Sequence, residues 1–113
     1  MSHRIDRINN LIKKEVSKVI LKELNFPAGV IVTVTEVETS SDLSYARVII
    51  SVIPDNKEKT ALDILKNTAY LIQKIINKKL NIKFVPKISF EIDKSLKEFN
   101  RISKILEEIK DKQ

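Results

Sequence analysis

The chain has 113 residues, of which 42% are hydrophobic and 32% are charged, and it contains no cysteine. This length predicts one domain with a modest core, and the lack of cysteine excludes disulfides, thiolate metal sites and a cysteine nucleophile. A single histidine, His3, makes a zinc cage or a Ser-His-Asp triad hard to build, and the net charge of +6 favours an anionic partner.

The N-terminus shows no sign of a secretory signal, because the opening residues Met-Ser-His-Arg-Ile-Asp contain no apolar segment. No apolar run approaches the roughly 20 residues that a membrane helix needs. One glycine and three prolines also fit poorly with a disordered linker or a loop-rich β-sandwich. We therefore expect a single cytoplasmic domain over residues 1–113 without a membrane partner. We also expect a monomer.

The first predicted element is an amphipathic helix over residues 4–24. Its apolar residues recur at the three- and four-residue spacing of one helix face: Ile5, Ile8, Ile12, Val16, Val19 and Ile20. The opposite face collects five cations: Arg4, Arg7, Lys14, Lys18 and Lys22. After the helix we predict a turn, since Pro27 lacks a backbone donor and Gly29 tolerates a positive φ.

A β-hairpin is predicted next. Residues 30–38 are dense in β-branched side chains, and residues 46–52 alternate so that Ala46, Val48, Ile50 and Val52 share one face. The polar residues 39–44 between these runs predict the connecting turn, in which Asp42 is most simply a turn former.

The second half of the chain predicts a helix, a strand and a last helix. Apolar residues at helical spacing span residues 58–80, and Ile88, Phe90 and Ile92 alternate with polar residues as in a half-buried strand. The last apolar stripe predicts a C-terminal helix over residues 95–113. The order α-β-β-α-β-α indicates a two-layer α+β domain, with helices on one face of a three-stranded sheet.

Positive charge is concentrated in two segments. Residues 1–25 contain six basic and three acidic residues, and residues 74–87 contain five lysines and no acid, whereas residues 26–53 contain one basic and three acidic residues. Such segments suit phosphate binding, because each neutralised phosphate releases counterions. The alternative is that the lysines only keep the protein soluble.

The acidic residues form no catalytic constellation, since most of them lie beside Lys or Arg at helix spacing.

Tyr70 is the one aromatic residue predicted on the polar face of the second helix, among Lys66, Asn67, Lys74 and Asn77. An outward aromatic side chain among cations can stack an unpaired base. It can equally lie flat on the surface or pack against the C-terminal helix, since single exposed aromatics are ordinary.

Several runs together resemble the ribosome-binding factor A family. In the hairpin they are Val32-Thr33-Val34-Thr35-Glu36-Val37-Glu38, Ser40-Ser41-Asp42-Leu43 and Ala46-Arg47-Val48. Later they are Val85-Pro86, Ile88-Ser89-Phe90, Asp93-Lys94-Ser95 and Arg101-Ile102, and the opening Arg4-x-x-Arg7-Ile8 fits the first helix. The resemblance covers residues 3–106 in one register. It implies a KH-like type II domain without cofactor or catalytic activity. It also implies binding to the free 30S subunit, maturation and processing of 16S rRNA, and a role in growth in the cold.

The RNA-binding residues that we predict are Arg4, Arg7, Lys14, Lys18, Lys66, Thr68, Ala69, Tyr70, Lys74, Lys78, Lys79 and Lys83. Two other functions stay open: a generic KH-like module for single-stranded RNA, and a protein-binding adaptor that uses the hairpin edge.

One departure from the family concerns the second helix. Where the resemblance implies Ala-x-Gly at a helix–kink–helix, this sequence has Thr68-Ala69-Tyr70. Without the glycine we expect a shallower kink or a continuous helix, with Tyr70 protruding from it.

Overall fold

The computed structural model describes residues 3–95 and residue 106. Its elements are α1 (His3–Glu23), β1 (Ile31–Thr39), β2 (Tyr45–Ile53), α2 (Glu58–Asn67), α3 (Ala69–Lys79) and β3 (Lys87–Ile92), with a 3-10 turn (Asp55–Lys57) before α2. β1 pairs antiparallel with β2 and β3 pairs parallel with β2, so β2 is the central strand. The predicted helix over residues 95–113 lies outside the described residues, apart from Ser95 and Leu106.

The core lies between the helices and one face of the sheet, as predicted. In β2 the alternate residues Ala46, Val48, Ile50 and Val52 are buried, and β3 contributes Ile88 and Phe90. α1 covers this face with buried residues from its apolar stripe: Ile8, Ile12, Val16, Val19 and Ile20. Burial of this single apolar cluster supplies most of the favourable free energy of folding. None of the helices in the described part of the chain combines the length and apolarity needed to cross a membrane.

A β-bulge interrupts the pairing of β1 with β2. The register shifts between Val34 and Glu36, which leaves Thr35 without a partner residue on β2. The extra residue allows Val34 and Val37, three positions apart, both to be buried. The Thr35 hydroxyl lies 2.8 Å from a carboxylate oxygen of Asp93, which follows β3. The bulge therefore connects the first strand to the end of the third.

Gly29 is required by the turn that follows α1. The Val30 N–H donates to the carbonyl oxygen of Pro27 at 3.1 Å, and Gly29 has φ = +83°. A positive φ at the third position is the mark of a type II turn, which confirms the predicted use of Gly29.

The predicted helix over residues 58–80 is interrupted at Thr68. Of the two outcomes expected, the continuous helix is wrong, and the shallower kink stays a prediction. Thr68 has φ −103° and ψ 7°, and α2 ends before it while α3 starts after it. The physical reason is the threonine side chain, whose hydroxyl donates to the carbonyl oxygen of Ile64 at 2.7 Å. Hydroxyl bonding to the preceding turn bends helices, and it does so here without a glycine.

Candidate nucleic-acid interface

The two basic segments of the sequence lie side by side in the fold. Toward the C-terminal end of α1, Lys18 and Lys22 line the same groove as Lys79 of α3. Near the N-terminus of α1, Arg4 lines a second groove together with Lys83 from the loop after α3. The chain from α3 into this loop therefore follows α1 from its C-terminal half back toward its start.

We call the exposed cations of α1, α3 and the loop at residues 80–86 the basic surface, except for Lys13, whose ammonium lies 3.4 Å from the Thr35 carbonyl oxygen of β1. Its members are Arg4, Arg7, Lys14, Lys18, Lys22, Lys74, Lys78, Lys79 and Lys83, and most of them are strongly exposed. Eight of them were predicted as RNA-binding residues. Lys22 was placed on the basic face of the first helix but left out of the site, although the helical wheel already grouped it with Lys18.

Within residues 3–95, nearly all of this charge lacks an ion-pair partner. Among the residues that the structure describes, Lys18 is the only predicted RNA-binding cation with an ion-pair partner, which is Glu15 at 3.8 Å. An exposed pair at this spacing contributes little free energy. Glu15 and Glu23 also line the groove that contains Lys18, so the positive potential there is weakened but keeps its sign, with three lysines against two glutamates.

Lys66 is separated from the other predicted cations. It lines a different groove, near the end of β3, with the acidic residues Glu36, Glu91 and Asp93. Arg47 and Lys94 lie in the same groove, so its three acids balance its three cations. The structure therefore does not bring Lys66 into the basic surface.

Thr68, Ala69 and Tyr70 lie at the junction of α2 and α3. The Thr68 hydroxyl is held by the Ile64 carbonyl, and Ala69 is half-buried. Tyr70 is 84% exposed, in agreement with its predicted protrusion. It lies one helical turn before Lys74 in α3, so both side chains project from the same face of that helix. An aromatic ring and a cation are thus adjacent at the start of α3.

The face of the sheet opposite α1 is a poor place for phosphate. Arg47 of β2 pairs with Glu38 of β1, and its Nη1 lies 2.9 Å from a carboxylate oxygen of Glu91 of β3. The hydrogen bond to Glu38, followed by the charges of Glu38 and Glu91, raises the pKa of Arg47 above its usual value. This cation is therefore already neutralised by two carboxylates. The charge distribution favours the helical side of the molecule for an anionic partner.

The turn between β1 and β2 is organised by the Asp42 carboxylate, as predicted for a turn former. It accepts hydrogen bonds from the Ser40 hydroxyl at 2.7 Å and from the Ser44 N–H at 3.1 Å. These two bonds, the Ser40 hydroxyl first, lower the pKa of Asp42. Leu43 completes the turn with φ = +64°, a conformation that non-glycine residues rarely adopt.

Sequence reasoning missed Phe84. This side chain is 72% exposed in the loop before β3, and the Lys83 ammonium lies 5.6 Å from its ring centroid. The loop lacks helical or strand periodicity, so no pattern could show which way the ring points. The signal that could have found it is the adjacency of a cation and an aromatic residue in a basic segment.

The described residues contain no cluster of three or more histidine, aspartate or glutamate side chains that could hold a metal ion. The groups that the site presents are exposed cations and the exposed aromatic rings of Tyr70 and Phe84. They can bind an anionic, base-containing polymer.

Comparison with known proteins gives a family for the chain. Residues 4–106 match the family model described as ribosome-binding factor A. The ribosome-binding factor A of Halothermothrix orenii is 36% identical over 111 residues, which cover 97% of this chain and 91% of that protein.

Solved structures share the fold. The crystal structure of ribosome-binding factor A from Thermus thermophilus has a TM-score of 0.69 at 18% identity, covering 80% of this chain and 97% of that one. A homology model of the Thermus thermophilus protein, fitted into a cryo-EM map of its complex with 30S, has a TM-score of 0.63 at 18% identity and covers 84% and 97% of the two chains. The shared architecture is KH-like, as the resemblance implied.

Proposed function

The chain belongs to the ribosome-binding factor A family, and we propose on this ground that it binds the free 30S subunit and assists late maturation and processing of 16S rRNA. It acts in the cytoplasm as a monomeric single domain, through RNA binding, without a catalytic step or a cofactor. The presence of a family member from Thermus thermophilus in a complex with 30S supports the choice of partner.

The observation that carries this proposal is the alignment of the end of α3, and of the loop after it, with α1. Arg4 and Lys83 line one groove and Lys18 and Lys79 line another, although each pair is more than 60 residues apart in the chain. The fold thereby converts two basic segments into one basic surface. Phosphates of folded RNA bind such a surface through counterion release and charge-assisted hydrogen bonds.

The mechanism is differential binding. A protein that binds one arrangement of rRNA more tightly than another shifts the equilibrium between them in proportion to the difference in affinity. We expect maturation of the 30S subunit to depend on the protein most strongly in the cold, where incorrect RNA pairings dissociate most slowly.

Charge reversal on α1 tests the proposal. In the double variant Lys14→Glu/Lys18→Glu, affinity for purified 30S subunits should fall, and the slope of log K against log salt should decrease by about 0.7 for each phosphate contact that is lost. The matched control is Lys57→Glu/Lys59→Glu, which makes the same change in net charge at exposed positions outside the basic surface. Equal affinity and slope for wild type and the α1 variant would exclude α1 as the RNA-binding face.

Two further measurements separate this function from the alternatives. A panel of short RNAs, compared with folded 30S subunits, should show preference for the subunit, whereas a generic single-stranded RNA module would bind the oligonucleotides equally well. In cells that lack the protein, the α1 variant should fail to prevent accumulation of 16S precursor, and the control variant should prevent it.

A further inference from the structure

Phe84 is exposed although the loop that carries it is firmly anchored. Its neighbours Ile82 and Val85 pack against the core, and Pro86 is fully buried. Phe84, 72% exposed between them, is the residue of this loop whose apolar side chain faces water. Burial on both sides therefore fixes the backbone position from which the ring projects.

Hydrogen bonds hold the C-terminal end of this loop in place. The Gln73 amide of α3 donates to the Pro86 carbonyl at 3.1 Å and accepts from the Ile88 N–H at 2.9 Å. The Lys87 N–H donates to the Ser44 carbonyl at 2.9 Å, which ties the loop to the hairpin turn. The aromatic ring is therefore presented by a preorganised segment, which lowers the entropic cost of binding a ligand.

The ring borders a groove formed by three elements. α1 contributes Arg4 and Ile8, the hairpin turn contributes residues 42–44, and the loop contributes residues 82–85. The volume of this groove is about 570 Å³, within the range of small-ligand sites. We call it the Phe84 groove.

The Phe84 groove combines apolar walls with two cations. Ile8, Leu43, Ile82 and Val85 provide apolar walls, and the cations Arg4 and Lys83 belong to two different elements of the groove. Asp42, the acid of the groove, is held in the hairpin turn by Ser40 and Ser44. Its charge disfavours a phosphate near the turn, so phosphates are directed to Arg4 and Lys83.

We propose that the Phe84 groove binds one unpaired RNA base, which stacks on Phe84, while Arg4 and Lys83 bind the flanking phosphates. This inference rests on the proposed function and adds a second aromatic contact to it. A base offers the flat apolar surface that an exposed ring requires, and stacking of this kind tolerates any base. An apolar protein segment would leave both cations without partners, so the charges favour RNA.

Three variants and a control test the proposal with purified 30S subunits. Phe84→Ala should weaken binding by about 5- to 150-fold without changing its salt dependence, because stacking involves no counterion release. Lys83→Gln should weaken binding and lower the salt slope by about 0.7. Leu21→Ala removes a side chain that is 82% exposed and lines a different groove, so it should bind as wild type.

The third variant, Phe84→Trp, reports on stacking directly. The chain contains no tryptophan, so this substitution introduces the one indole of the protein. Incorporated as 5-hydroxytryptophan, it is excited beyond the absorption of the tryptophans in the 30S proteins. The variant should retain affinity, and its emission should be quenched when 30S binds. Unquenched emission in the bound state would overturn the proposal, as would normal binding by Phe84→Ala. Loss of binding in Phe84→Ala together with salt-independent binding of the wild type would also overturn it, in favour of a protein ligand.

Failure of the proposed function is distinguishable from failure of this inference. If wild type binds 30S and Phe84→Ala binds equally well, the groove is not a base site but the function stands. If wild type does not bind 30S, the function fails. The groove is then judged by titrating Phe84→Trp with a single-stranded oligoribonucleotide, where quenching supports a base site and constant emission overturns it.

Discussion

The hydroxyl of Thr68 and the N–H of Thr68 both donate to the carbonyl oxygen of Ile64, at 2.7 Å and 3.0 Å. The hydroxyl also lies 3.3 Å from the Leu65 carbonyl. Thr68 thus bonds carbonyl groups of the last turn of α2, and its own φ and ψ leave the helical region before α3 starts. A threonine achieves through its side chain what a glycine would achieve through backbone freedom.

Removal of the Thr68 hydroxyl should straighten the junction at little cost in stability. Thr68→Ala loses a hydrogen bond of about 1 kcal/mol, but the Ile64 carbonyl keeps its backbone donor and alanine has the higher helix propensity, by about 0.5 kcal/mol. We expect the free energy of unfolding to change by less than about 1 kcal/mol. The Cα chemical shifts of residues 67–69 should move toward helical values.

Thr60→Ala, at an exposed position of α2, is the matched control and should leave the shifts of residues 67–69 unchanged. Thr68→Ser should also leave them unchanged, because it keeps the hydroxyl. If Thr68→Ala showed wild-type shifts at the junction, the break would have to be attributed to tertiary packing instead of this hydrogen bond.

The secondary structure was largely predictable because burial imposes a period on the sequence. Ala46, Val48, Ile50 and Val52 alternate, and the apolar stripe of α1 repeats at helical spacing, so both elements were located within one or two residues. The break at Thr68 was not predictable in this way. A threonine hydroxyl can face water or bond the preceding turn, and the sequence pattern does not distinguish the two.

The site was predictable only in part. The cations of α1 and of residues 74–83 were identified from charge alone, but a helical wheel treats each helix separately. It could not show that Lys66 of α2 lies among Glu36, Glu91 and Asp93, away from the basic surface. The exposure of Phe84 also depends on how Ile82 and Val85 pack, which is a property of the tertiary structure.

The hairpin turn should be sensitive to acid. The Ser40 hydroxyl, and after it the Ser44 N–H, lower the pKa of Asp42 below its usual value of 3.8. A depressed pKa in the folded state means that the carboxylate stabilises the fold above pH 3.8, and that this stabilisation is lost as the pH falls through the lower folded value. The stability advantage of wild type over Asp42→Asn should therefore be present at neutral pH and disappear in acid.

NMR titration of the Asp42 carboxyl measures the cause directly. Ser40→Ala removes the largest contribution and should raise the pKa of Asp42 toward its usual value. Asp63→Asn is the control for Asp42→Asn in the denaturation measurements. It removes one negative charge from the exposed surface of α2 without touching the hairpin turn. An unchanged Asp42 pKa in Ser40→Ala would show that the hydroxyl is not its main partner.

The Gln73 side chain should be a strong contributor to stability. Its amide satisfies the Pro86 carbonyl and the Ile88 N–H, which joins α3 to the start of β3. In Gln73→Leu both backbone groups lose these partners at a half-buried site, so the free energy of unfolding should fall by about 2 kcal/mol, or about 1 kcal/mol for each bond.

Urea denaturation measures this loss, and two variants calibrate it. Asn77 accepts an exposed hydrogen bond from the Gln73 amide nitrogen. Asn77→Ala should therefore lower the free energy of unfolding by less than about 0.5 kcal/mol. Gln73→Glu keeps an acceptor for the Ile88 N–H but loses the donor to Pro86, so its stability should fall between those of wild type and Gln73→Leu. A Gln73→Leu protein as stable as Asn77→Ala would mean that water replaces both bonds.

Tyr70 should contribute to RNA affinity but not to stability. Because it is 84% exposed, Tyr70→Ala should change the free energy of unfolding by less than about 0.5 kcal/mol. If its ring stacks a base, affinity for free 30S subunits should fall by about 5- to 150-fold, and Tyr70→Phe should retain wild-type affinity. Tyr45→Ala is the matched control, since Tyr45 is 61% exposed on the face of the sheet opposite α1. It should bind 30S as wild type.

Tyr70 and Phe84 lie on different elements and should contact different nucleotides. Effects of distant, independent contacts on binding free energy add, whereas residues that hold the same base are coupled. The affinity of the double variant Tyr70→Ala/Phe84→Ala for 30S should therefore fall by a factor equal to the product of the two single-variant factors. A double variant no weaker than the worse single variant would mean that both rings act on one base. Normal binding by Tyr70→Ala would remove Tyr70 from the site and leave Phe84 and the cations of the basic surface as its contacts.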